Sequence, residues 1–324
     1  MPRRFRSFRS WLISLLAAAT FAAAAHADTF PSKTIRIIVP YAPGGSIDLT
    51  ARVVAKNLQQ SLGQAVIVEN KPGANGVLGI DDLMHSDPDG HSLIILSNSP
   101  VTVNPHLSKV NYDPLRDLAP IGRVVDSPII LAANPKAGIA SIADLVAATK
   151  AKPLNYAVSY IGSFAYFSAE LLKHELGVAM QAIPYRGGAP VATAIASGEV
   201  PIGMLDTAAI MPMIANGQVI PIGITEPERV RSMPNIPTLR EAGVPNFSTS
   251  SWLAMFAPRG TPDDRIARLN AEIAKIVAMP DAKEVLLAAG LEPAPSGPDE
   301  MRRIIAAEYA MWGQMIAATG LKVE

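Results

Sequence analysis

Two α/β lobes joined by two chain crossings are the fold class this sequence predicts. Two blocks of alternating strand-like and helix-like segments carry the expectation, one ending near residues 126–128 and one running from there to residues 249–251. The length is right for two lobes. The closing stretch reads as helices that can pack back on the first block, which takes the chain across the molecule twice and makes a hinge.

The elements follow in order. Residues 35–40 form a β-rich run that stops at a Pro/Gly cluster, residues 41–45, and helical periodicity then runs from Ile47 to Gly63. A short strand at 66–70, a turn at Lys71-Pro72-Gly73 and a helix over 76–84 follow. Pro88-Asp89-Gly90 makes a turn into a third strand at 93–96. In the second block, strands are expected at 129–132, 155–158, 182–185, 202–205 and 220–224. The helices between them are expected at 142–150, 164–176, 191–197 and 208–216. A strand at 253–257 precedes helices at 263–277, 281–289 and 299–319. Asp263, Asp281 and Asp299 are the expected N-caps, and Gly290 and Gly320 the expected stops.

Residues 1–27 read as a secretory signal. Arg3, Arg4, Arg6 and Arg9 give the positive start, residues 11–25 are uncharged and mostly apolar, and Ala25-His26-Ala27 offers a cleavage site. The apolar run, about 15 residues, falls short of the roughly 20 needed to span a bilayer. Arg3-Arg4 hints at twin-arginine export, but its flanks match poorly and ordinary unfolded export is expected. Cleavage after Ala27 leaves 297 residues. It removes four of 28 basic residues and no acid, so 24 bases face 28 acids, a net charge of −4. That balance argues against a nucleic-acid surface. The chain has no cysteine, and a chain of this size can bury a core without disulfides.

Catalytic and metal motifs are missing. His85, His91, His106 and His174 stand in no metal-ligand spacing and read as surface or turn residues. There is no GxSxG elbow and no phosphate-binding GxxxxGK[ST] loop. Gly73, Gly76 and Gly79 have the wrong first spacing for a dinucleotide fingerprint. No catalytic residue, metal or cofactor is therefore expected.

Small-residue loops after strands stand out instead. Pro43-Gly44-Gly45-Ser46 lies between a strand and a helix, where free backbone N–H groups and the helix dipole attract an anion, although a plain tight turn reads equally well. Residues 70–76 make a second such loop, and Ser97-Asn98-Ser99 a third. In the second block, residues 159–164 contain Gly162-Ser163. Tyr185-Arg186-Gly187-Gly188 supplies an arginine able to grip a carboxylate with two prongs, or simply a solvated one. Asp206 either accepts from a ligand hydroxyl or amine or caps the helix it precedes.

These loops, in this order, resemble the substrate-binding receptors of tripartite tricarboxylate transporters, the Bug family. The matching segments are Pro31-Ser-Lys-Thr-Ile-Arg-Ile-Ile-Val-Pro-Tyr-Ala-Pro-Gly-Gly45, Val68-Glu-Asn-Lys-Pro-Gly-Ala-Asn-Gly76, Pro88-Asp-Gly90, Pro184-Tyr-Arg-Gly-Gly-Ala-Pro190, Pro237-Thr-Leu-Arg-Glu-Ala-Gly243 and Ala257-Pro-Arg-Gly-Thr-Pro262. The resemblance covers essentially the whole chain after the signal. It implies a type II periplasmic-binding-protein fold, two α/β lobes closing like a flytrap. It also implies that Tyr41, Pro43, Gly44, Gly45 and Ser46 hold a ligand carboxylate through backbone amides and water. Ser163, Tyr185, Arg186, Gly187 and Asp206 would face them from the other lobe; Ser97 joins the candidate site from its own strand-end position, where it offers a hydroxyl. Two departures leave the ligand open towards a more apolar or aromatic acid. Leu205 and Thr207 flank Asp206 where the family has phenylalanine and asparagine, and the loop from Tyr160 to Tyr166 is bulkier than usual.

The expected organisation is a signal at 1–27, a first lobe of 28–127 with 251–324, and a second lobe of 128–250. The expected protein is a periplasmic monomer that captures a small carboxylate for membrane permease subunits. A ligand-loaded sensor docking on a membrane signalling receptor would use the same pocket, so only the partner separates the two. An exported hydrolase would require a catalytic pair converging in the cleft.

Overall fold

The structure, a computed structural model, describes residues 30–247 and 249–319. The expected signal segment and Gly320 lie outside them. Strand β1 (Ile35–Val39) shows how the first lobe is built. Ile35, Ile37 and Val39 face one hydrophobic core and Ile38 faces another, as the two-residue period of a strand requires. Strands β2 (Val66–Asn70), β3 (Ser92–Ser97), β4 (Leu118–Asp126), β10 (Trp252–Pro258) and β11 (Glu292–Pro293) complete a six-stranded sheet in the order β11-β4-β10-β3-β1-β2. Helix α1 (Ser46–Leu62) covers one face with α7 (Asp263–Ala278) and α8 (Pro280–Ala288). Helix α2 (Val77–Met84) and the first half of α9 (Pro298–Thr319) cover the other. Covering helices on both faces explain the nearly continuous apolar runs in β1, β3 and β10.

The second sheet, in the order β7-β6-β8-β5-β9, is built from β5 (Ile129–Ala133), β6 (Leu154–Val158), β7 (Met180–Pro184), β8 (Ile202–Asp206) and β9 (Ile220–Ile224). Helices α3 (Ile142–Ala151) and α4 (Phe164–Leu176) pack on one face, and α5 (Gly188–Ser197) and α6 (Thr207–Ala215) on the other. The chain leaves the first sheet after β4 and returns to it at β10. The two crossings touch, with Ser127 N donating to Ser251 O at 2.8 Å.

Three details differ from the sequence expectation. Strand β4 was not foreseen, because Pro120 and Gly122 interrupt its apolar pattern. The glycine is needed, since a side chain there would run into the Ser296 backbone and Asn270. Asp263, Asp281 and Asp299 are not N-caps but lie in the first turns. Helix α7 is capped by Pro262, whereas Pro280 and Pro298 are themselves the first helical residues of α8 and α9. The carboxylates still face the positive helix ends. Helix α9 returns to the first lobe only in part. Met301 and Ile305 are buried there, but Trp312 packs edge-on to Phe164 in the second lobe's core, with ring centroids 5.9 Å apart.

Candidate functional site

Four helices begin at the interlobe cleft. Their N-cap residues are Gly45 for α1, Ser163 for α4, Gly187 for α5 and Asp206 for α6, and all four line one cavity. The first turn of each helix carries N–H groups without intrahelical partners, and the helix dipoles add positive potential at the same point. The cavity volume is about 80 Å³. Its lining holds no lysine, arginine or histidine among the described residues; it holds two carboxylates, Asp48 and Asp206, both already hydrogen-bonded, so an anion placed there would depend on backbone amides and serine hydroxyls.

The loop from β1 to α1 is shaped by glycine. Gly44 sits at φ +96°, a conformation side chains rarely adopt, and its N–H donates to Asp48 Oδ2 at 3.1 Å. Burial works against ionisation of Asp48, but Arg52, Asn70 and the Gly44 amide outweigh it and hold the carboxyl below its usual range. Asp48 is thereby already paired within the first lobe.

Asp206 behaves differently. It stands at the N-cap of α6 yet makes no cap bond with its side chain. Its Oδ1 instead accepts from Ser46 N at 3.2 Å and from Ser46 Oγ at 2.6 Å, across the cleft at the start of α1. Other contacts close the same seam. Thr207 Oγ1 donates to Gly290 O at 3.1 Å, Asn75 Nδ2 to Ile161 O at 3.0 Å, and Ser99 Oγ to Gly162 O at 2.5 Å. The rings of Tyr41 and Tyr160 stack between the lobes, 5.3 Å apart and 17° from parallel. Burial raises the Tyr41 phenol to about 12 despite the nearby Tyr160 and Ser97 hydroxyls. Its Oη is enclosed and lacks the geometry of a hydrogen bond to either.

Of the residues singled out in the sequence, Tyr41, Gly45, Ser46, Ser97, Ser163, Gly187 and Asp206 line the cavity. Ser163 is also the cap of α4, accepting from Tyr166 N at 3.0 Å. Pro43 and Gly44 are exposed, outside the lining. Tyr185 is turned away, its hydroxyl donating to Glu199 Oε1 at 2.8 Å, and Arg186 is exposed outside the cavity. Both follow β7, the edge strand of its sheet.

The lining also includes residues that the sequence reading did not assign to a site. Tyr160 belongs to the loop at residues 159–164, whose bulk the sequence places against the ligand's far end without giving Tyr160 itself a contact. Ser127 and Ser251 stand on the two crossings, which were read as boundaries alone. The expectation that all four histidines sit at the surface or in turns also needs correction. His85 and His174 are exposed and His91 lies in the turn after Gly90, although buried, but His106 is half-buried on a short helix (Asn104–Leu107) with its Nε2 2.8 Å from Tyr309 O. His91 Nε2 accepts from Ser32 N at 3.2 Å, and its Nδ1 stands 3.1 Å from Asp89 Oδ1, off the line of a good hydrogen bond. Among the described residues no His, Asp or Glu cluster is arranged to hold a metal, and no helix is long and apolar enough to cross a membrane.

The family model described as the tripartite tricarboxylate transporter family receptor matches residues 50–321. The chain is 37% identical to Protein BugT of Bordetella pertussis over 313 residues, covering 95% of this chain and 96% of that protein. The solved structure of Rpa4515 from R. palustris with adipate has a TM-score of 0.86 at 31% identity, covering 90% of this chain and 99% of the other. MatC from Rhodopseudomonas palustris with bound malate has a TM-score of 0.82 at 29% identity, covering 89% of this chain and 100% of the other.

Proposed function

The chain belongs to the tripartite tricarboxylate transporter receptor family, and from that premise we propose that it is a periplasmic solute-binding protein. It captures a small organic carboxylate between its lobes and presents it to permease subunits in the membrane. It acts as a monomer, exported by its first 27 residues, with a first lobe of 28–127 and 251–324, from which the second half of α9 reaches into the second lobe, 128–250. The observation that carries this reading is the convergence of four helix N-termini on a cavity whose lining has no basic side chain. Such a site attracts an anion through fixed dipoles and amides. The adipate in Rpa4515 and the malate in MatC support carboxylate as the class.

The ligand carboxylate lies at the start of α1, near Gly45 and Ser46, and meets Ser163 and Gly187 from the other lobe, while Asp206 accepts from a hydroxyl or amine elsewhere on the ligand. Ligand contacts to both lobes favour the closed arrangement, so binding shifts the population towards closure. A ligand-bearing receptor of this kind performs no chemistry on its cargo.

A thermal-shift screen over mono-, di- and tricarboxylates and aromatic acids tests the proposal. A true ligand at 100 times its Kd adds about 2.7 kcal/mol of stability. If no carboxylate raises the melting temperature, the reading is wrong. Capture of permease subunits from detergent-solubilised membranes tests the transport role, and capture of a signalling receptor instead would favour a sensor.

A further inference from the structure

We propose that Tyr160 sets the size of ligand this receptor accepts, by closing one wall of the cavity against Tyr41. The inference rests on the carboxylate reading above and adds a limit on which carboxylates fit.

Tyr160 lies in the connection between β6 and α4, which is held from several directions. Ser163 N donates to Tyr160 O at 3.2 Å, and Gly187 N donates to Ser159 O at 3.3 Å. From the first lobe, Asn75 Nδ2 and Ser99 Oγ donate to the carbonyls of Ile161 and Gly162. With its backbone fixed on both sides, the Tyr160 Cα is held in place, and the ring is held by stacking on Tyr41. Its ring stacks on Tyr41 from the opposite lobe, and both rings line the cavity. The wall is therefore made jointly by the two lobes and completed when they meet.

Size and charge follow from that wall. A volume of about 80 Å³ is small beside the roughly 300–1,000 Å³ of ordinary ligand pockets, which suits a short acid and not a long one. Both phenols are neutral at neutral pH, as any tyrosine is, and burial raises them further, Tyr160 well above the ordinary tyrosine value. Ring faces carry negative quadrupole density and offer no donor to a second carboxylate. A chain long enough to push its far carboxylate against the ring faces, away from the phenol hydroxyls, would lose water there and gain no partner. Removing the Tyr160 ring would extend the cavity along the face of Tyr41.

Calorimetric titration of unbranched dicarboxylates from three to eight carbons, against wild type and Tyr160→Phe, Tyr160→Leu and Tyr160→Ala, tests the wall. Circular dichroism confirms that each variant is folded, and Tyr160→Leu serves if Tyr160→Ala is not. The expected result is that wild type and Tyr160→Phe share one length profile, weakening at least ten-fold beyond its optimum. The optimum of Tyr160→Ala or Tyr160→Leu moves to longer chains. A folded small variant with an unchanged profile overturns the wall while leaving carboxylate binding intact. A wild type that binds no carboxylate of any length removes the carboxylate reading, and the size limit with it.

Discussion

Ser46 gives both its backbone N–H and its hydroxyl to one oxygen of Asp206, and the two residues come from opposite lobes. The first helical residue of α1 is thus joined directly to the cap position of α6. A carboxylate at the start of α1 is well placed electrostatically, and the bond spans the cleft that must open for a ligand to enter.

Asp206→Ala should therefore loosen closure. A hydrogen bond to a charged group contributes about 1.5–3 kcal/mol, so ligand Kd should rise roughly ten-fold or more through the lost closed population. Solution scattering of the ligand-free variant should show a larger radius of gyration than wild type. Tighter ligand binding by Asp206→Ala would mean that Asp206 competes with the ligand instead of latching the lobes.

A second seam lies at Gly290. Its φ is +76°, and a Cβ there would stand 2.7 Å from the Thr207 Cβ on the other lobe. Gly290→Ala combines backbone strain with an interlobe clash. It should cost on the order of 1 kcal/mol or more in stability and weaken ligand binding beyond that, because the clash exists only when the lobes are closed. Thr207→Gly in the Gly290→Ala background removes the crowding Cβ, hydroxyl and methyl together, and calorimetry should show part of the affinity restored.

Much of this architecture was legible because strand periodicity survives in single segments. Ile35, Ile37 and Val39 against Ile38 can be read from sequence and are found on opposite faces. The glycine- and serine-rich strand ends were legible too, since a loop that must expose backbone amides is restricted to few residue types. Side-chain direction was not. Tyr185 and Arg186 follow an edge strand, and nothing in their order says that the tyrosine reaches Glu199 while the arginine stays outside. Tyr160 was noticed for bulk, but its stacking on Tyr41 depends on how two distant segments meet. Ser127 and Ser251 looked like boundary residues, and the hinge brings both boundaries to the cavity.

The hinge also holds a titrating group. Glu226 is buried beside the returning crossing, accepting from Ser250 Oγ and from Ser251 N. Burial raises its carboxyl from 4.5 to about 7, and the nearby Asp126 charge adds to the rise. The Ser250 and Ser251 bonds and Arg123 oppose it. A carboxyl whose folded value is raised contributes stability that is full below the unfolded value and is lost as pH climbs to the folded one. Wild type should therefore lose a few kcal/mol, as an order of magnitude, between about pH 4.5 and 7 relative to Glu226→Gln. Denaturant midpoints of both proteins at pH 5 and pH 8 check this, and parallel midpoints across that range would contradict it.

Helix α9 ties the lobes by a route separate from the two crossings. Trp312 is buried in the second lobe, 5.9 Å from the Phe164 ring centroid and 6.2 Å from that of Phe167, while Met301 and Ile305 of the same helix are buried in the first. Trp312→Ala should cost about 3–5 kcal/mol, the usual range for emptying a buried aromatic site. Phe164 is the first residue of α4 and lines the ligand cavity, so the void opens directly behind the binding surface. Hydrogen exchange should accordingly rise in the first turn of α4 as well as in the last turns of α9. Ligand affinity should fall more than for a Met301→Ala change of similar stability cost, because Met301 touches only the first lobe's core. Equal affinity losses in two variants matched for stability would show that the helix acts on folding alone.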